Sequence, residues 1–174
     1  MARANILPTG VECPYGPEEL IVSKTNLKGR ITYANDVFLR LARYSAAEVI
    51  GAPHNLIRHP DMPRSIFKLL WESIQAKKEI FAYVLNMAKN GDHYWVFAHV
   101  TPTLDSKRNV TGFHSNRRKP DPVQIDRVKP LYAQILAEEK RHDSRKDGML
   151  RGVECLSDVL KSKGVDYDEF VFSL

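Results

Sequence analysis

No apolar run in the sequence approaches the ~20 residues that a membrane-spanning helix needs, and the N-terminal MARANILPTG lacks the apolar segment and cleavage site of a secretory leader. A chain with no membrane span, in the cytoplasm, is the expectation. Cysteine is almost absent. Cys13 and Cys155 lie far apart with no Cys-x-x-Cys spacing, which fits a reducing compartment and gives no structural zinc site. Helix-turn-helix and zinc-finger spacings are missing, as is a dense basic stripe interleaved with aromatics, so nucleic acid is not expected as a partner. The formal charge of +5, drawn partly from the block SNRRKP at 115–120, is read as a solvated face. No paired nucleophile and base, phosphate loop or metal triad occurs, so an enzyme is not expected.

What is present suits one globular domain with appendages: 174 residues, 43% hydrophobic and 27% charged. Residues 1–19 hold three prolines and two glycines among few apolar positions, the composition of an N-terminal arm. From Leu20 the pattern predicts a β-hairpin (20–24 and 30–34, with Asn26 and Gly29 in the turn) and then two short helices capped by Asn35 or Asp36 and by Ser45. A longer helix follows Pro63 with Ile66, Phe67, Leu70, Trp71 and Ile74 on one stripe. Three alternating strands come next, turning at Asn90-Gly91 and at Ser106–Asn109. From 120 to 174 the pattern is amphipathic and helical, except that VDYDEFVFSL reads equally as a short strand or a last helical turn.

The densest cluster of polar chemistry is HNLIRHPDMP at 54–63. Placed before a helix, Arg58 can fork onto phosphate oxygens while free backbone N–H groups at the helix start attract anions. The plainer alternative has Asp61 capping the helix, Pro63 starting it and Arg58 paired with Asp61 at the surface. His54 and His59, five apart, lack the paired spacing of a zinc site, and no metal is expected.

The order of two strands, short helices and three strands, together with ITYANDVFLRLARYSAAEVIGAPHNLIRHPDMP, a Trp-bearing helix and KNGDHYWVFAHVTP, resembles the PAS domain of bacterial aerotaxis (energy-taxis) receptors. The expected fold class is therefore α+β: a PAS fold over residues 20–119, with a five-stranded antiparallel sheet, short helices inserted between strands 2 and 3, and a C-terminal helical extension. The resemblance implies non-covalent binding of FAD in a redox sensor, with Arg58, His59 and Asp61 near phosphates and ribose. Asn86 and His114 are implied at the flavin ring, and Asn35, Trp71 and Trp95 are further candidates, although aromatics on a helical stripe or strand are more often core. In the related flavin light sensors a reactive cysteine stands where this chain has His54, so their photochemical adduct is not expected. Haem b on His59, His93 or His114, or a cofactor-free interaction module, stay open as alternatives. The extension is a candidate surface for a homodimer or a signalling partner, and docking onto its own domain is an equally ordinary use.

Overall fold

The computed structural model describes residues 6–174. Strands β1 (Ile21–Asn26) and β2 (Ile31–Ala34) form the first hairpin. Its turn is held by Asn26 Oδ1, which accepts from the amides of Lys28 and Arg30, and by Gly29 at φ +70. Asn35 then caps α1 (Asp36–Ala42), and a Ser45–Glu48 capping box starts α2 (Ala46–Val49). A 3₁₀ turn at His54–Ile57 leads to α3 (Arg64–Gln75).

Strands β3 (Ile80–Met87), β4 (His93–Leu104) and β5 (Val110–Arg118) complete an antiparallel sheet in the order β2-β1-β5-β4-β3. The architecture is the expected five-stranded one with helices between β2 and β3. Register settles which residues share a face, because side chains alternate along each strand. Val84 opposes Val96, Asn86 opposes Tyr94, Val100 opposes Ser115, and Ile21 opposes Arg117. This set faces α1–α3. The intervening set, including Tyr83, Trp95, Phe97, His99, His114 and Asn116, faces the other way.

That second face is covered by two helices of the C-terminal extension, α4 (Pro122–Lys140) and α6 (Tyr167–Ser173), while α5 (Arg145–Lys163) packs against α4 and α3. The undecided last segment is helical, with Asp166 accepting from Glu169 N at its start. Tyr132 of α4 donates its hydroxyl to Tyr83 O at 2.7 Å and packs against Trp95, while Phe172 of α6 meets Phe81 and Phe97. Farther along α4, Glu139 reaches the start of α3, so the helix passes around the edge strand β3 and protects it from pairing. The N-terminal arm is packed too: Cys13 and Tyr15 are buried, Cys13 N donates to His93 O, and Tyr15 OH donates to Trp95 O.

Among the described residues no helix is long and apolar enough to cross a membrane.

Candidate functional site

Between the sheet and α3 lies a cavity of about 1120 Å³, larger than the ~300–1,000 Å³ common for small-molecule sites. Its apolar walls are Phe67, Leu70, Trp71 and Ile74 of α3 and Val84, Ala98, Val100 and Phe113 of the sheet. Trp71 stands edge-on to Phe113 with centroids 5.4 Å apart. A Cβ on Gly29 would lie 2.9 Å from the Trp71 ring, so glycine there serves both the turn and this wall.

The polar lining is unusual for what it leaves unmade. Asn86 Nδ2, Ser115 Oγ and Arg117 Nη1 border the cavity, are removed from water and have no hydrogen-bond partner. Each such atom forfeits a hydrogen bond's worth of stability, about 1–3 kcal/mol, unless a ligand or water answers it. Arg117 is 4% exposed. Its Nη2 donates to Ser23 Oγ at 2.8 Å and lies 2.6 Å from His54 Nε2, and its guanidinium rests 5.7 Å from the Phe38 ring. Among the described residues it forms no ion pair. Burial pulls its pKa down to about 10, which leaves it charged at neutral pH. His54 is pushed down to about 3 by burial and by Arg117, so it is neutral and can offer Nε2 as an acceptor to the guanidinium.

The basic block read as solvated thus sends one of its arginines into the interior. Strand alternation carries the signal: Arg117 is in phase with Phe113 and Ser115, and Arg118 is out of phase.

Of the residues singled out from sequence, Arg58, His59, Trp71 and Asn86 border the cavity. Arg58 pairs its backbone with Asn86 across an isolated bridge, donates Nη2 to Met62 O at 3.1 Å and lies 4.3 Å over the Phe67 ring. His59 is buried, its Nδ1 accepts from Asp61 N at 3.1 Å, and its ring meets His93 edge-on. His114 touches the border of the cavity, but it is out of phase with Phe113 and Ser115, and its Nε2 lies 3.0 Å from Asn116 Oδ1.

Three candidates lie elsewhere. Asn35 ties α1 to β1, its Oδ1 accepting from Val22 N and Phe38 N and its Nδ2 donating to Leu20 O. Trp95 is on the opposite sheet face against Tyr132. Asp61 leaves 62% of its side chain exposed beside His59.

Asp61 does not cap α3. The N-cap is Pro63, whose side chain offers nothing. The open amides are instead met by Glu139 of α4: Arg64 N donates to Oε2 at 2.9 Å, and Ser65 N and Oγ donate to Oε1, each at 2.8 Å. The expectation of free N–H groups for a phosphate is corrected, because a carboxylate from the extension already occupies that helix start. A partner 75 residues away has no local sequence signal.

The described residues contain no group of three or more His, Cys, Asp or Glu placed to hold a metal ion.

The family described as PAS fold matches residues 31–117. The aerotaxis receptor of Escherichia coli (strain K12) is 36% identical over 124 residues, which are 71% of this chain and 24% of that protein. The nitrogen fixation regulatory protein of Klebsiella pneumoniae is 27% identical over 97 residues, 56% of this chain and 20% of that one. This chain therefore spans about a quarter or less of these relatives. A solved light-oxygen-voltage domain, studied with a flavin analogue, superposes with a TM-score of 0.56 at 17% identity, covering 72% of this chain and 90% of that domain.

Proposed function

The chain belongs to the PAS family, and from that premise we propose that it is a sensor whose cavity holds a flavin non-covalently and whose helices pass the flavin's state to a signalling partner. The observation that carries this is the row of unanswered polar atoms, Asn86 Nδ2, Ser115 Oγ and Arg117 Nη1, on a cavity otherwise walled by aromatic and aliphatic side chains. A flat heterocycle rich in carbonyl and ring-nitrogen acceptors fits those donors and those walls. Similarity to an aerotaxis receptor supports the same reading.

A bound flavin supplies a ring whose protonation and charge change on reduction. The residues here respond to that difference in separate ways. Asn86 offers an amide that can donate or accept, so a change of protonation at its partner changes its preferred contact. Arg117 offers a fixed cation in a poorly solvated place, which favours whichever ligand state is more negative. Trp71 and Phe113 exclude water from the pair. A sensor needs two states with differential contacts, and these residues supply them.

The output path in this reading is α3, which lines the cavity and is tied at its start to Glu139 of the extension. A cytoplasmic site of action, a signalling protein or a second copy as the receiver, and the lack of any catalytic step all belong to the proposal.

An absorption spectrum of the purified protein, taken as isolated and after incubation with flavins, tests the reading. The expected result is the two-banded visible spectrum of an oxidised flavin that heat releases into the supernatant. A Soret band identifies haem instead, and a protein that stays colourless with every flavin is a cofactor-free module; either result overturns the proposal.

A further inference from the structure

The cavity does not end at the PAS core. Its lining continues from Asn86 and Arg117 past α3 to Leu136, Lys140, His142, Arg145 and Met149 of the extension. Seven Lys or Arg residues border it against two Glu, and both glutamates are committed: Glu72 pairs with Lys68, and Glu139 is bonded to the start of α3. A ring held at Asn86 and Arg117 leaves the far end of the cavity, and its positive charge, unaccounted for.

Arg64, Lys140 and Arg145 face this end from three sides, as the first residue of α3, the last of α4 and the first of α5. None of the three forms an ion pair among the described residues. Two of them stand against helix energetics. An arginine in the first turn meets the positive end of the helix dipole, an arrangement that costs about 0.3–1 kcal/mol at the surface. Arg64 and Arg145 both sit there, so helix stability is not what places them.

Resting on the flavin reading above, we infer that the C-terminal extension completes the cofactor site: Lys140 and Arg145, with Arg64, hold the phosphate end of a dinucleotide, which makes the extension the determinant of FAD over smaller flavins. With Glu139 filling the start of α3, phosphate recognition falls to side-chain cations rather than to helix amides. Guanidinium and ammonium groups are suited to phosphate oxygens. The cavity volume of about 1120 Å³ accommodates a dinucleotide where a lone ring system leaves it largely empty.

Titration of the flavin-free full chain with FAD, FMN and riboflavin, followed by flavin fluorescence, tests the assignment. Wild-type protein is expected to prefer FAD over riboflavin. The double variant Lys140→Glu/Arg145→Glu is expected to lose about tenfold or more in FAD affinity, the loss of one or two charge-assisted contacts, with riboflavin affinity unchanged. A Lys140→Gln/Arg145→Gln variant with wild-type melting behaviour separates charge from misfolding and should show a smaller loss of the same sign. Added salt should weaken FAD binding more steeply than riboflavin binding. If riboflavin binds and the FAD preference is the same in all three proteins, this inference falls and the flavin reading stands; if wild type binds none of the three flavins, both fall.

Discussion

A guanidinium withdrawn from water and facing no carboxylate, as Arg117 is, costs several kcal/mol unless something answers its charge. Arg117→Met should therefore split two measurements that usually move together. Urea unfolding of the flavin-free protein is expected to show unchanged or higher stability, by up to about 1–4 kcal/mol, because Ser23 Oγ and His54 Nε2, 3.1 Å apart, still have each other. Flavin titration of the same variant is expected to show an affinity lower by about tenfold or more. A loss of stability with affinity intact would show that Arg117 serves the fold. His54 gives a pH signature. Its folded pKa of about 3 lies below the unfolded value of ~6.5, so between those pH values the unfolded chain holds the extra proton. Stability from this residue is full above pH ~6.5 and is lost as pH falls toward 3. His54→Gln, neutral throughout, should unfold with a shallower dependence on pH across that window, measured by urea midpoints at successive pH values; parallel curves would show that His54 stays neutral in neither state more than the other. Both residues are within reach of the sequence, though not equally. His54 stood out by analogy with a reactive cysteine, while Arg117 was hidden in a basic block whose β-strand phase separates one inward arginine from one outward.

At the level of elements, the junction of α3, α4 and α5 is closer than side-chain packing alone allows. A Cβ on Gly148 would fall 2.3 Å from Glu139 O, and one on Gly152 would fall 2.8 Å from Glu139 Cγ. Gly148→Ala gains about 1 kcal/mol of helix propensity but forces a backbone carbonyl to move, and overpacking of this kind costs about 1–3 kcal/mol. A net loss of stability is expected, with a lower urea midpoint. Glu139→Ala removes the acceptor from two amides and a hydroxyl and should cost about 1–3 kcal/mol, while Glu139→Gln, which keeps one carbonyl oxygen, should cost less. An alanine variant as stable as wild type would show that the junction does not join the extension to α3. This junction marks the limit of what periodicity could tell. The hairpin, the capping of α1 and α2 and the three late strands were legible because each rests on neighbours in sequence: Asn26, Asn35, Ser45 with Glu48, Asn90-Gly91. Neither sequence reading of Asp61, as cap or as cofactor contact, points to what meets the open amides of α3, because that carboxylate belongs to another helix, and α6 is ambiguous because seven residues are too few for a period to declare itself.

Over the whole molecule, both faces of the sheet are occupied, one by the cavity and α1–α3, the other by α4, α6 and the N-terminal arm. The second face carries Tyr83, Trp95 and Phe97, and Phe81 stacks there on Phe97 and on His99. Contiguous aromatic surface of this kind seeks a cover, because apolar area removed from water returns about 25 cal/mol per Å². In this chain the cover is its own extension, which leaves that face closed to a second copy. Removing residues 120–174 uncovers it together with the β3 edge, an unpaired strand beside an apolar surface. The shortened chain is expected to self-associate at micromolar concentrations, seen as a mass of twice the chain or more by light scattering, while the full chain scatters at lower mass. A charged substitution on the uncovered face, Phe97→Glu, should return the shortened chain toward a monomer. If the shortened chain stays monomeric with its aromatics exposed, the extension is not a cover, and its placement on the sheet must be justified by the cavity end alone, where Lys140 and Arg145 stand.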